Sequence, residues 1–87
     1  MIKVLYFSAD WCGPCKVFKP IVQNFIEENK DKFELEVVDI EEKHELAIKM
    51  AIKAVPTIIC LKNDDVALKF SGAMKKEDFK NKLNNLL

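Results

Sequence analysis

The 87-residue sequence predicts an α/β protein of order β-α-β-α-β-β-α, a four-stranded mixed sheet flanked by three helices. Three observations predict it. Short β-rich apolar runs alternate with stretches whose apolar residues recur at helical spacing. A whole helix separates the first two strands, which implies a parallel crossover. A short turn at Asn63-Asp64 joins the last two strands, which implies an antiparallel hairpin. A chain this short buries only about 60% of its unfolded surface, so residues 1–87 are expected to form one domain with one modest core.

Each element follows from local pattern. Residues 2–7 (IKVLYF) are nearly continuously apolar and read as a buried strand. From Cys12 to about Asn29, Val17, Phe18, Ile21, Val22, Phe25 and Ile26 recur at helical spacing. Pro14 falls in the first turn of that helix, where its missing N–H costs nothing, and Pro20 falls inside, where a kink is expected. Asn29 is placed to end it. Residues 35–40 read as a second strand. Residues 43–52, with Leu46, Ala47 and Met50 on one face, read as a short helix. Residues 57–61 and 66–71 are two strands joined at Asn63-Asp64. Phe79, Leu83 and Leu86 mark a last helix from about Lys75.

Composition narrows the function. Fourteen basic residues, all of them Lys, balance fourteen acidic ones. Without Arg or a net positive field, nucleic acid is not an expected partner. No apolar run reaches the roughly 20 residues of a membrane-spanning helix. The opening residues are too soon interrupted by Asp10 to resemble a signal peptide, so a cytoplasmic location is expected. The three cysteines are an odd number for a disulfide framework.

Cys12 and Cys15 form a C-x-x-C pair where a strand gives way to a helix. A helix N-terminus presents unpaired N–H groups and a partial positive charge. A thiolate is favoured there, so the Cys12 pKa is expected below the free value of about 8.5. Cys15, one turn further in, is expected to be the more buried. The division of labour that follows is Cys12 as attacking thiolate and Cys15 as resolving thiol. Cys60, in a β-branched strand, reads as a buried inert thiol. A zinc site of Cys12, Cys15, Cys60 and His44 has enough ligands but lacks a second closely spaced pair, so no metal is expected. No cofactor motif is present.

Trp11-Cys12-Gly13-Pro14-Cys15-Lys16 resembles the active-site motif of the thioredoxin family residue for residue. Pro20 resembles the family's kink proline, Val55-Pro56-Thr57 its cis-proline segment, and Gly72-Ala73 the glycine after its fourth strand. The resemblance covers nearly the whole chain and implies a thioredoxin fold in minimal form. It implies that Pro56 is cis beside the cysteines. It also implies that Trp11, Gly13, Pro14, Val55, Pro56, Gly72 and Ala73 form an apolar groove for an extended disulfide-containing client. By the same resemblance the activity is reduction of protein disulfides by a monomer. Its electron donor would be of the thioredoxin-reductase type.

The sequence departs from the family in three places. The strand and helix that usually precede this core are missing, which leaves a glutaredoxin-like outline. Tyr6 stands where thioredoxins usually bury an Asp, and Val37 where they often bury a Lys. Losing both charges together leaves no orphan charge. Tyr6 could donate a hydrogen bond or be a plain core aromatic, and it is a poor base in either case. Met74 falls where a helix cap is usual, with Glu77 and Asp78 compensating through the dipole. Two other functions stay open at this level. One is a glutathione-dependent reductase, against which Ser71-Gly72-Ala73-Met74 lacks the acidic residue glutaredoxins carry. A variant of it is a dedicated electron donor to one reductase. The other is a non-catalytic interaction subunit using the same scaffold.

Overall fold

The computed structural model describes residues 1–87 as β1 (Ile2–Ser8), α1 (Gly13–Glu28), β2 (Phe33–Asp39), α2 (His44–Lys49), β3 (Thr57–Lys62), β4 (Asp65–Ser71) and α3 (Lys76–Asn84). The expected element order holds throughout. The sheet order is β2-β1-β3-β4. β1 runs parallel to β2, while β3 is antiparallel to both β1 and β4.

The near-continuous apolar run of β1 has a simple cause: the sheet is covered on both sides. Side chains alternate along a strand. Ile2, Val4 and Tyr6 enter a core with Phe18, Val22, Phe25 and Ile26 of α1 and Phe79 and Leu83 of α3. Leu5 and Phe7 enter a second core with Val38 and Ile59, closed by Leu46 and Met50 around α2. Aromatic edges organise the first core, with Phe79 meeting Phe18 and Phe25 at 5.4 Å each in T-shaped geometry.

Local chemistry fixes the ends of the elements. α1 continues through Pro20, whose ring nitrogen cannot donate to the Lys16 carbonyl. Asn29 does end the helix, through its own amide, which donates to the Phe25 carbonyl at 2.8 Å. Val17, expected on the buried face, is 71% exposed. The buried stripe is Cys15, Phe18, Val22, Phe25 and Ile26, and position 17 lies off it. α2 closes in a Schellman motif: Ile52 N–H donates to Ala47 O and Ala51 N–H to Ile48 O. Ala51 therefore sits at φ 56°, a conformation usually given to glycine. The β3–β4 turn places Asn63 and Asp64 at φ 54° and 68°, both left-handed, as a type I′ hairpin requires. The cap of α3 is Lys75 rather than Met74. It makes no side-chain cap bond, and Glu77 and Asp78 occupy the first turn.

Candidate active site

Cys12 is not the first residue of α1 but its N-cap. Its backbone is extended (φ −91°, ψ 106°) and its Sγ accepts the N–H of Cys15 at 3.2 Å. The sulfur thus occupies the place a Ser or Asp oxygen takes in an ordinary cap. Pro14, at the second helical position, leaves no further N–H unpaired there. The turn is held from below by Cys12 N–H donating to the Ala9 carbonyl at 3.1 Å. Cys12 and Cys15 are joined as a disulfide, with Cα atoms 5.3 Å apart. Negative charge that develops on Cys12 when the pair opens faces an N–H donor and the positive end of a 16-residue helix.

Both sulfurs sit in a small apolar cluster with Ala9, flanked by Ile40 and Val55. Cys12 is 5% exposed and Cys15 2%. The expected difference in burial has the right sign, but Cys12 is itself nearly buried. Trp11, 67% exposed, stands directly beside it in sequence, and Gly13 and Pro14 are exposed on the other side.

Distant segments complete the rim. The Val55–Pro56 bond is cis, as the resemblance implies. The Val55 carbonyl lies 3.8 Å from Cys12 Sγ, within reach of an S–H donor once the pair is reduced. The Pro56 carbonyl accepts the N–H of Gly72 at 2.9 Å, so the Gly72-Ala73 corner is tied to the proline. Gly72 has φ 97° with open space where a Cβ would stand, so backbone conformation and not crowding selects glycine.

Three features of the site go beyond the sequence, which left Tyr6 as either a hydrogen-bond donor or a plain core aromatic. Thr57 Oγ1 donates to the Ala54 carbonyl at 2.6 Å and lies 2.9 Å from Ser71 Oγ. Its single proton is committed to Ala54, so Ser71 donates to it. The pair clamps the 54–57 turn that presents Val55 and Pro56. A Thr following a Val-Pro was the available signal. Tyr6 is fully buried, and its hydroxyl donates to the Cys15 carbonyl at 2.6 Å, joining β1 to the active-site helix. Burial pushes its phenol up to about 12. Tyr6 and Val37 are register partners on β1 and β2, so the two departures from the family pattern are neighbours in space. The third feature is a cleft of about 190 Å³ lined by Ser8, Ala9, Asp10, Cys15, Lys16 and Lys19.

The four candidate metal ligands are not gathered: no group of three or more His, Cys, Asp or Glu side chains comes together. Cys60 is fully buried in the larger core, where burial pushes its thiol up to about 12. His44 is exposed at the start of α2. No helix is long and apolar enough to cross a membrane.

A disulfide at a helix N-terminus, on a mixed sheet and beside a cis-proline, defines the redox-disulfide class of α/β proteins. The comparisons identify the family within it. The thioredoxin family model matches residues 1–85. The chain is 41% identical over 75 residues to the mitochondrial thioredoxin of Mus musculus, covering 86% of this chain and 45% of that protein. It is 33% identical over 81 residues to the thioredoxin of Bacillus subtilis, covering 93% of this chain and 78% of that protein. A mutant thioredoxin from Halobacterium salinarum NRC-1 shares the fold, with a TM-score of 0.88 at 24% identity over 97% of this chain and 73% of that one. The chain belongs to the thioredoxin family. It spans just under half the length of the mitochondrial relatives it matches.

Proposed function

We propose that this chain is a thiol–disulfide oxidoreductase that reduces protein disulfides by dithiol exchange. The observation that carries the proposal is the Cys12 sulfur placed as the cap of α1, accepting the Cys15 N–H at 3.2 Å. In this reading Cys12 thiolate attacks one sulfur of a client disulfide. A mixed disulfide forms and the client's other sulfur leaves as thiolate. Cys15 then attacks Cys12 Sγ, regenerating the Cys12–Cys15 disulfide and releasing the reduced client.

The groove of Trp11, Gly13, Pro14, Val55, Pro56, Gly72 and Ala73 receives an extended client segment. Its support is the exposed Trp11 and the contacts that link Cys12 to Val55 and Pro56 to Gly72. With formal net charge zero, long-range attraction selects no class of client, and recognition rests on this short apolar rim. The donor is of the thioredoxin-reductase type. Residues 1–87 act as one domain, as a monomer, in the cytoplasm or another reducing compartment.

Single Ser variants test the exchange on a disulfide-containing protein such as insulin. Cys12→Ser is expected to abolish reduction. Cys15→Ser is expected to accumulate a mixed disulfide on Cys12, seen as an added mass that dithiothreitol removes. A double Ser variant with unchanged biological activity would instead support the scaffold reading. Supplying the oxidised protein with NADPH and a thioredoxin reductase, or separately with glutathione, identifies the donor. Reduction by glutathione alone would overturn the assignment.

A further inference from the structure

Resolution of the mixed disulfide requires Cys15 to lose a proton, and Cys15 is buried. The groups around it are few. From β1, Tyr6 donates its hydroxyl proton to the Cys15 carbonyl, and a neutral phenol oxygen is too weak a base to take a thiol proton. Its phenol, pushed up to about 12, holds that proton through the neutral range. Cys12 is bonded to the client at this stage. Ala9, Ile40 and Val55 complete the apolar cluster and carry no titratable group. The remaining face of Cys15 lines the cleft of about 190 Å³, whose lining brings charged groups to it: Asp10 from the β1–α1 loop, Lys16 and Lys19 from α1, with the Ser8 hydroxyl. At about 30 Å³ per liquid water, the space admits several waters. Asp10 is the one carboxylate in the lining.

We propose that Asp10 accepts the Cys15 proton through water in this cleft as Cys15 attacks the mixed disulfide on Cys12. The step balances. The Cys15 S–H proton passes through water to the Asp10 carboxylate, and the Cys15 sulfur forms a bond to Cys12 Sγ. The bond between Cys12 and the client sulfur breaks, and the client leaves with that electron pair as thiolate. Asp10 then returns its proton to solvent or to the client thiolate. The dithiol is oxidised by two electrons and the client disulfide is reduced by two. This rests on the dithiol reading above and assigns its second step a proton route.

A charge effect and a proton-accepting role predict opposite signs. If Asp10 acted only as a nearby negative charge, removing it would ease ionisation of Cys15 and speed resolution. If it takes the proton, removing it slows resolution most where little thiolate exists. The test mixes fully reduced protein with one equivalent of an aromatic nitrobenzoate disulfide and follows coloured thiolate by stopped flow. The first phase reports attack by Cys12 and the second reports resolution by Cys15.

For Asp10→Asn the second phase is expected to be about tenfold slower at pH 7. It should meet the wild-type rate at alkaline pH, where Cys15 ionises unaided. Asp10→Glu is expected to restore most of the rate. An unchanged or faster second phase in Asp10→Asn would overturn the proposal. So would equal slowing of both phases at every pH, which would mark a distorted site. A wild-type protein with no first phase would remove the dithiol reading itself.

Discussion

Replacing Tyr6 by Phe removes one oxygen and keeps the ring that packs 6.0 Å from Phe18 in the core. What disappears is a buried 2.6 Å hydrogen bond from the hydroxyl to the Cys15 carbonyl. A typical intramolecular hydrogen bond contributes about 0.5–1.5 kcal/mol net, and a buried acceptor that loses a partner puts this one at the upper end. With a urea slope of about 1 kcal/mol per molar for a small domain, the midpoint should fall by roughly 1 M. The melting temperature should fall by about 4–8 °C for each kcal/mol lost. The pH dependence adds a second signature. The Tyr6 phenol is raised from 10.0 to about 12 in the folded protein. Between those values the folded state holds a proton that the unfolded state releases, so stability falls as pH rises. The contribution is fully present below pH 10 and lost by about pH 12, amounting to about 1–2 kcal/mol after allowance for screening. Wild type and Tyr6→Phe should therefore differ at pH 7 and converge above pH 10. Cys60, raised from 9.0 to about 12, declines equally in both proteins and cancels from the comparison. The assay is equilibrium urea unfolding of the oxidised forms between pH 7 and 11.5. A difference below about 0.3 kcal/mol at pH 7, or a constant difference across the pH range, would refute the reasoning.

Other substitutions probe the rim and the caps. Thr57→Val keeps the shape but removes the bonds to Ala54 and Ser71, and should cost about 1–2 kcal/mol in urea unfolding and lower the rate of client reduction. Gly72→Ala meets no steric obstacle yet must hold φ 97°, so a loss of about 1 kcal/mol is expected in the same measurement. Ala51→Gly relieves the left-handed residue of the α2 Schellman motif and should raise stability by about 0.5–1 kcal/mol, leaving thiol exchange unchanged.

Much of the fold was legible because its signals are local. The apolar run of β1, the helical stripe of α1 and the Asn63-Asp64 turn each report the conformation of their own segment. Val17 was misread because a six-residue apolar list satisfies helical spacing more loosely than the observed five-residue stripe. The α3 cap was misplaced by one residue because neither Met74 nor Lys75 supplies a capping oxygen. The active-site pair was legible because the C-x-x-C spacing and the strand-to-helix junction lie within one short stretch.

The sequence by itself determined the element order, the parallel crossover and the identity of the reactive pair. Those rest on turn chemistry, periodicity and spacing, each read within one segment or one β-α-β unit. Tertiary structure alone decided how the sulfurs are held. Only folding brings the Val55 carbonyl to Cys12 across 43 positions, and Tyr6 to the Cys15 carbonyl across nine. Only folding makes Tyr6 and Val37 neighbours, so that the absent charge pair is absent from one place. It also turns Cys15 toward a cleft with Asp10, Lys16 and Lys19. Hydrogen bonding and access to water depend on which segments meet in space, and sheet register and helix packing set those meetings.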